Sequence, residues 1–403
     1  MHSNHSDNIV ISGVGCALVD LIYNKVSFES PAFNKYTSKH PGDGGLSPGK
    51  LVFTEELEAF SGKTLKDLRS DVVGNRPPDV INVGGPALVA MVLASQLLTD
   101  KEYVVKFYGM AGYDENTDKI LEILRQTPLD ISNYKKSQVM ETPSTDVFSD
   151  PEHDEGHGER TFVNSLGAAL EYTIAHIHDS FFESDITCFG GTALVPHVHD
   201  HLTELLKKSR AHDCVTVVNT VFDFRNHKKN PDLPWPLVDR EADYQLIDLL
   251  IMDRDEAIHI SGKDSIEDAA RFFYSTQVAS FIITNGAANT LACSNGRLFE
   301  KMDLREFPVS AKIAGALQSQ PKTGDTTGCG DNFAGAVVAS MAQQLKQKGR
   351  GNLDLAEALA WGISAGGNCC FYVGGTYIEQ AAGELRQKTI ALKEDYQQQI
   401  AGS

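Results

Sequence analysis

The chemistry of this chain concentrates in Thr323-Gly324-Asp325-Thr326-Thr327-Gly328-Cys329-Gly330-Asp331-Asn332-Phe333-Ala334-Gly335. Gly328 and Gly330 carry no Cβ to block close approach. Successive backbone N–H groups can therefore converge on an anion just where a helix presents the positive end of its dipole. Asp331 falls in the first turn of that helix, where a carboxylate can take the proton of a hydroxyl held about 3 Å from the anion. Base and charge stabiliser would then be neighbours in sequence. The same spacing is also satisfied by a glycine turn whose aspartate merely caps the helix.

Such a site needs a rigid frame, and the rest of the chain supplies one. Apolar, β-branched runs at 9–13, 80–83, 104–108, 186–189, 215–219, 249–252 and 281–284 alternate with helical patterns. Near-continuous apolar strands of this kind belong to a mainly parallel central sheet covered by helices on both faces. Most end in Gly, Asn, Thr or Asp, at the carboxyl ends where open α/β sheets bind ligands. Phe333, Val337, Met341 and Leu345 recur every four residues, and Leu355, Leu359, Trp361 and Ile363 mark a second packed helix.

Two stretches break the alternation. Residues 21–74 are polar and turn-rich and do not read as core. Residues 137–163 read as a hairpin, 145–149 and 159–163, whose acidic, His-bearing tip at 151–158 is solvated. Polar loops of this size are often lids. The expected fold class is therefore α/β: a single domain over 1–403 with a small β lid and with lid and insertion elements at about 21–74 and 137–163. An exposed edge of the lid sheet would allow a homodimer, unless the insertion covers it.

Asp325-Thr326-Thr327-Gly328-Cys329-Gly330-Asp331 resembles the C-terminal signature of the ribokinase-like, or PfkB, family of carbohydrate and nucleoside kinases. Supporting features run in family order from the first strand to the last helices. The resemblance implies that Asp331 deprotonates an acceptor hydroxyl and that the amides of Gly328, Cys329 and Gly330 bind the migrating γ-phosphoryl of ATP. It implies that Asp20 grips substrate hydroxyls and that Gly84 and Gly85 form a hinge and substrate floor. A tight strand-to-helix turn before Pro86 accounts for the glycine pair equally well. Val89 stands where many sugar kinases have Asn, which counts against ribose as the acceptor.

By the same resemblance Asp253 and Glu256, in Asp253-Arg254-Asp255-Glu256, occupy the place of a magnesium-organising Asn-x-x-Glu. Two carboxylates suit a hard divalent cation, although Asp255 and Glu256 also suit the first turn of a helix. Thr284 and Gly286 match the nucleotide-site Thr-x-Gly. Asp325 and Thr327 lie in the anion loop, near which many relatives bind an activating monovalent cation such as K+. Asn368 falls where the adenine pocket closes. Arg160, at the end of the lid hairpin, is placed to meet phosphates on closure. Asn219 and Arg225 sit at a strand end facing the cleft, and Arg225 is read as a phosphate contact or a partner of Asp223. The implied activity is transfer of the γ-phosphoryl group of ATP, with Mg2+, to a hydroxymethyl group of a sugar or ribonucleoside; a non-catalytic sensor on the same fold is the alternative.

Other patterns point elsewhere and fail. Gly44 to Leu51 has the Gly-x4-Gly-Lys spacing of a P-loop, but Leu51 replaces the metal-binding Ser/Thr and no apolar strand precedes it. Gly13-Val14-Gly15 opens like a dinucleotide fingerprint, yet Leu18 stands at the third glycine. His197, His199 and His201 lack a Cys or Glu pattern and read as solvated helix-start residues. The net charge of −18, from 36 basic and 54 acidic residues, argues against a nucleic acid partner. No apolar run is long enough for a membrane span, and Met1 to Asp7 does not resemble a signal peptide. Seven scattered cysteines without CxxC spacing fit reduced thiols in a cytoplasmic protein.

Overall fold

A computed structural model describes residues 8–40, 42–156, 158–319, 324 and 326–402. Its strands, in chain order, are β1 (Ile9–Gly15), β2 (Leu18–Tyr23), β3 (Leu51–Phe53), β4 (Val80–Gly84), β5 (Tyr103–Ala111), β6 (Tyr134–Lys136) and β7 (Ser144–Asp150). They continue with β8 (Glu159–Ser165), β9 (Ile186–Gly190), β10 (Val215–Asn219), β11 (Leu249–Asp253), β12 (Ser280–Thr284), β13 (Thr290–Ser294) and β14 (Met302–Phe307).

Nine strands form one sheet in the order β14-β13-β12-β11-β10-β9-β1-β5-β6. From β12 to β6 every pairing is parallel, and only β13 and β14 run antiparallel at one edge. β1, β9, β10 and β11 carry buried β-branched and apolar residues on both faces, as expected for strands with helices above and below. The helix Pro86–Leu97 is buried along its whole length and starts with Pro at its first position, where no N–H partner is needed. It packs tightly against the helix Cys329–Lys348: a Cβ on Gly335 would lie 2.3 Å from the Ala90 carbonyl oxygen. Leu355–Cys369 packs on the same helix, with Gly362 making room for the Phe333 ring.

The remaining five strands form a second sheet, β3-β8-β7-β2-β4. The expected hairpin is there, as antiparallel β7 and β8. Two expectations are corrected. The run 80–83 does not join the main sheet; as β4 it pairs antiparallel with β2 in the lid. Its apolar run concealed an alternation, with Asn82 buried on one face and Ile81 exposed on the other. The insertion 21–74 is not peripheral: Phe33, Tyr36, Leu46, Leu57 and Leu68 are buried in the main hydrophobic core. These residues are spaced by turns rather than by a helical or strand period, so pattern reading does not detect them.

The insertion also clothes the lid. β3 pairs with β8 at one edge, leaving β4 as the other edge of the sheet. Arg69 reaches buried Asp146 of β7 at 2.6 Å. The hairpin tip is anchored too: Asp150 Oδ2 accepts the Phe28 N–H at 2.7 Å, and the His153 ring packs on Phe28. No helix among the described residues is long and apolar enough to cross a membrane.

Candidate active site

The two sheets meet at the carboxyl ends of β1, β9 and β10. Gly84 and Gly85 form the turn from β4 into the buried helix; backbone and packing require glycine at Gly85, and at Gly84 a larger residue would displace the side chains it faces. A Cβ on Gly84 would lie 2.5 Å from Asp20 Oδ2, and one on Gly85, at φ 96°, would lie 2.4 Å from the Cys16 carbonyl oxygen. The floor and the carboxylate of Asp20 are therefore in direct contact. Asp20 is 5% exposed and lies in β2 opposite Asn82. Asn219 ends β10, is buried, and accepts the Gly191 N–H at its carbonyl, 2.8 Å away.

Gly328 adopts the left-handed conformation, φ 76°, at the N-cap of the helix Cys329–Lys348. A Cβ there would strike Gly375 Cα at 2.6 Å, whereas a Cβ on Gly330 would meet nothing within 4 Å. The first glycine is thus required by packing and backbone, and the second leaves open space at the helix N-terminus. That is the shape of an anion cradle. Asp331 stands in the same first turn, and burial pushes its carboxyl up to about 6.

Two asparagines hold this turn to the lid. Asn332 Nδ2 donates to the carbonyls of Gly328 at 2.8 Å and Gly375 at 2.7 Å, while Tyr372 Oη donates to Asn332 Oδ1. From the other side, Asn82 Nδ2 donates to the carbonyls of Val373 at 2.9 Å and Thr376 at 3.1 Å. The loop 373–376 is therefore gripped by the lid strand that faces Asp20 and by the residue after Asp331. Neither Asn82 nor this loop stood out in the sequence, because their importance lies in long-range contacts and not in residue type. Lid and loop also meet at Arg160, whose Nη1 donates to Thr327 Oγ1 at 2.7 Å.

Behind the cradle lies a cavity of about 440 Å³ lined by Thr284, Gly286, Ile313, Cys329, Gly330 and Cys370. It brings together Thr284 and Gly286 with two residues of the anion turn, as expected. Asn368 lies in the last turn of Leu355–Cys369, flanked by wall residues Gly367 and Cys370 but not itself part of the lining. Cys329 Sγ and Cys370 Sγ are 3.5 Å apart, and Cys369 Sγ contacts the Thr327 carbonyl oxygen at 3.2 Å. Hydrogen bonding to Cys369 and then Cys370, with burial, holds the Cys329 thiol far above its ordinary range. Asp325 lies outside the described residues.

Asp253 and Glu256 form a capping box at the start of the helix Arg254–Ser261. Asp253 Oδ1 accepts the Glu256 N–H at 2.8 Å, and Glu256 Oε2 accepts the Asp253 N–H at 3.0 Å and the Thr220 hydroxyl at 2.5 Å. Burial, then the charge of Asp253 and more weakly that of Asp331, pushes the Glu256 carboxyl up to about 8. A carboxyl raised in this way by its acidic neighbours would be relieved by a cation. No three His, Cys, Asp or Glu side chains among the described residues converge to hold a metal ion alone. The arrangement fits Mg2+ that keeps waters and phosphate ligands and takes one or two carboxylates from the protein.

Arg225 pairs with Asp200, Nη1 to Oδ2 at 2.8 Å, and not with Asp223, whose carboxylate instead accepts from Asn226. Arg225 lies on the wall of a second cavity away from the anion turn. His199 also departs from expectation, since it is buried, with Nδ1 bonded to Thr192 Oγ1 and Nε2 to the Pro236 carbonyl. The short helix Pro196–His199 turns it inward, while His201 Nδ1 contacts the His197 carbonyl at the surface. The P-loop-like stretch is followed by β3 and no helix begins at its lysine.

The model of the pfkB family of carbohydrate kinases matches residues 60–381. The chain belongs to that family. No curated protein sequence matches the pfkB chain. Among solved structures it is similar to the adenosine kinase of Schistosoma mansoni in complex with 2-fluoroadenosine, with a TM-score of 0.65 and 16% identity over 91% of this chain and 96% of that one. It is similar to the ribokinase of Thermotoga maritima, with a TM-score of 0.60 and 17% identity over 96% of this chain and 99% of that one. The adenosine kinase of Anopheles gambiae, in complex with a di(adenosine) tetraphosphate, gives a TM-score of 0.63 and 19% identity over 88% and 93%. At these identities the likenesses establish the ribokinase-like fold of this pfkB protein.

Proposed function

We propose that the chain is an ATP-dependent kinase that transfers the γ-phosphoryl group to a hydroxymethyl oxygen of a sugar or ribonucleoside. The observation that carries this reading is the carboxylate of Asp331 beside the open turn at Gly330, in a cleft closed by a lid arginine. Asp20 and the Gly84–Gly85 floor would hold the acceptor, and the cavity behind the cradle would take the nucleoside part of ATP. As the acceptor oxygen attacks the γ-phosphorus, its proton passes to Asp331 and ADP leaves with the bridging oxygen. The amides of Gly328, Cys329 and Gly330 stabilise the charge on the migrating group, and Arg160 adds a positive charge from the lid.

Mg2+ would be held by Glu256 and Asp253, directly or through water, and would neutralise phosphate charge when bound. A raised Asp331 carboxyl supports the base role, since a catalytic base works best with a pKa near the operating pH. Seven cysteines without CxxC spacing support a reducing, cytosolic setting. The decisive experiment is a coupled ADP-release screen over pentoses, hexoses, their phosphates and ribonucleosides, with Asp331→Asn as the blank. ADP release above the blank with one acceptor class is the expected result, and none with any acceptor overturns the reading in favour of a binding-only protein.

A further inference from the structure

Strand register places a row of polar side chains across the lid sheet. Asn82 of β4 pairs with Asp20 of β2, Asp20 with Thr145 of β7, Thr145 with Asn164 of β8, and Asn164 with Phe53 of β3. Directly paired residues on neighbouring strands project to the same face of a sheet. That face looks into the cleft: Asn82 reaches the loop 373–376, and Arg160, two pairs along β8 from Asn164, reaches Thr327. The opposite face packs on the insertion, through Asp146 with Arg69 and through Phe148 and Val163 in the core.

The members of the row are used differently. Both donors of Asn82 go to the loop, and its Oδ1 accepts the Val83 N–H, so this side chain is spent on the fold. Asn164 is 3% exposed, yet its Oδ1 is buried with no hydrogen-bond partner. Leaving a buried amide oxygen unpaired costs about 1–3 kcal/mol, a cost a ligand donor would remove.

Beyond Asn164 the row turns apolar. Phe53 packs edge-on against Phe224 of the larger body, with ring centroids 5.3 Å apart. Both line a cavity of about 580 Å³ whose walls also include Leu166, Leu170 and Leu194. Two strand steps separate Asp20 from Asn164 and three separate it from Phe53, roughly 10 and 14 Å at the spacing of neighbouring strands. A monosaccharide gripped by Asp20 leaves this cavity, mostly apolar in surface although Glu55, Glu56 and Lys228 stand on its wall, without an occupant.

We infer that the acceptor is a ribonucleoside, its hydroxylated ring at Asp20 and Thr145 and its base running past Asn164 into the cavity that Phe53 and Phe224 both line. A nucleobase matches both features: a planar apolar face for the two rings and N–H groups on its edge for the orphaned oxygen. This deepens the kinase reading and rests on it for the identity of the reaction, but the binding claim can be tested apart from it.

The test uses the full chain in two arms. In the first, kcat/KM is measured with ATP for purine and pyrimidine ribonucleosides against free ribose, other pentoses and hexoses. In the second, nucleoside binding is measured calorimetrically on Asp331→Asn with and without Asn164→Leu, with Asn164→Thr as a milder variant and circular dichroism to verify folding. The expected result is at least a hundredfold preference for one ribonucleoside, with its affinity reduced about tenfold or more by Asn164→Leu. Phosphorylation of free monosaccharides in preference to every nucleoside overturns the inference while the kinase reading stands. Nucleoside binding that depends on Asn164 without ADP release overturns the kinase reading and leaves the inference intact. Nucleoside affinity unchanged in folded Asn164→Leu and Asn164→Thr overturns the inference.

Discussion

Arg160 and Thr327 are 167 positions apart in the chain and joined by a 2.7 Å hydrogen bond from Nη1 to Oγ1. The bond ties the lid hairpin to the turn that forms the anion cradle, so lid position and cradle geometry are linked. A guanidinium at this place can also exchange the hydroxyl for a phosphate oxygen, a stronger, charge-assisted partner. Closure and phosphate recognition would then share one side chain.

Arg160→Ala is therefore expected to lower kcat/KM for the acceptor about ten- to a hundredfold, with a smaller loss in Arg160→Lys, which keeps the charge but not the fork. Steady-state kinetics with ATP and acceptor varied separately make the measurement. Activity of Arg160→Ala equal to wild type would show that the contact only positions the lid at rest. Replacing the tip 151–158 with a short Gly/Ser linker should raise KM for the acceptor, because His153 in that tip packs on Phe28 of the insertion and helps to anchor the hairpin.

Asp331→Asn should leave ATP affinity nearly unchanged while lowering kcat at least about a hundredfold. In wild type, kcat/KM should climb with pH through about 6, where the Asp331 carboxyl ionises. Stability carries the opposite sign. Burial raises the folded-state pKa above the ordinary 3.8, so the folded chain holds its proton more tightly, and ionisation as pH rises from 3.8 to about 6 costs stability. Asp331→Asn removes that cost: its Tm should exceed wild type by a few degrees at pH 7.5, and the gap should close below pH 4. A gap that is the same at both pH values would contradict the burial argument.

The Cys329 thiol lies in contact with Cys370 and hydrogen bonds with Cys369 and Cys370, and these neighbours hold it protonated. Thiolate, not thiol, is the nucleophile. Iodoacetamide at pH 7.5 should label Cys329 at least about tenfold more slowly than a free thiol, as followed by peptide mass spectrometry, with no rate inflection between pH 7 and 9. Fast labelling in that interval would indicate an activated cysteine and reopen a redox role for the anion turn.

Much of the frame was legible because burial on both faces writes itself into sequence: β1, β9, β10, β11 and β12 are short apolar runs, and each was found within a residue or two. The anion turn was legible because few residue types allow it, as the contrast between Gly328 and Gly330 makes clear. What escaped depends on partners distant in sequence. β4 reads as a core strand until its pairing with β2 puts Asn82 toward the cleft. The insertion gives no periodic signal, yet Phe33, Tyr36 and Leu57 bury themselves against the back of the lid. Asp253 and Glu256 satisfied two readings at once, and the structure gives them a capping box whatever else they hold. Arg225 is expected to meet a phosphate or Asp223, but the fold of 196–200 brings Asp200 to it instead.

Gly330 separates a structural from a chemical role most cleanly. Its added Cβ would touch no other part of the protein, and its φ is not among the positive ones, so Gly330→Ala imposes neither a clash nor backbone strain. Alanine in a first helical turn is instead slightly favourable. The same Cβ would occupy the space an anion needs at the helix N-terminus. Gly330→Ala should therefore match or exceed the wild-type Tm while lowering kcat at least about tenfold. Gly328→Ala, with its positive φ and its collision with Gly375, should lose both stability and activity. Comparing the two variants by thermal denaturation and by ADP release makes the check, and a fully active Gly330→Ala would mean that no phosphate passes through this turn.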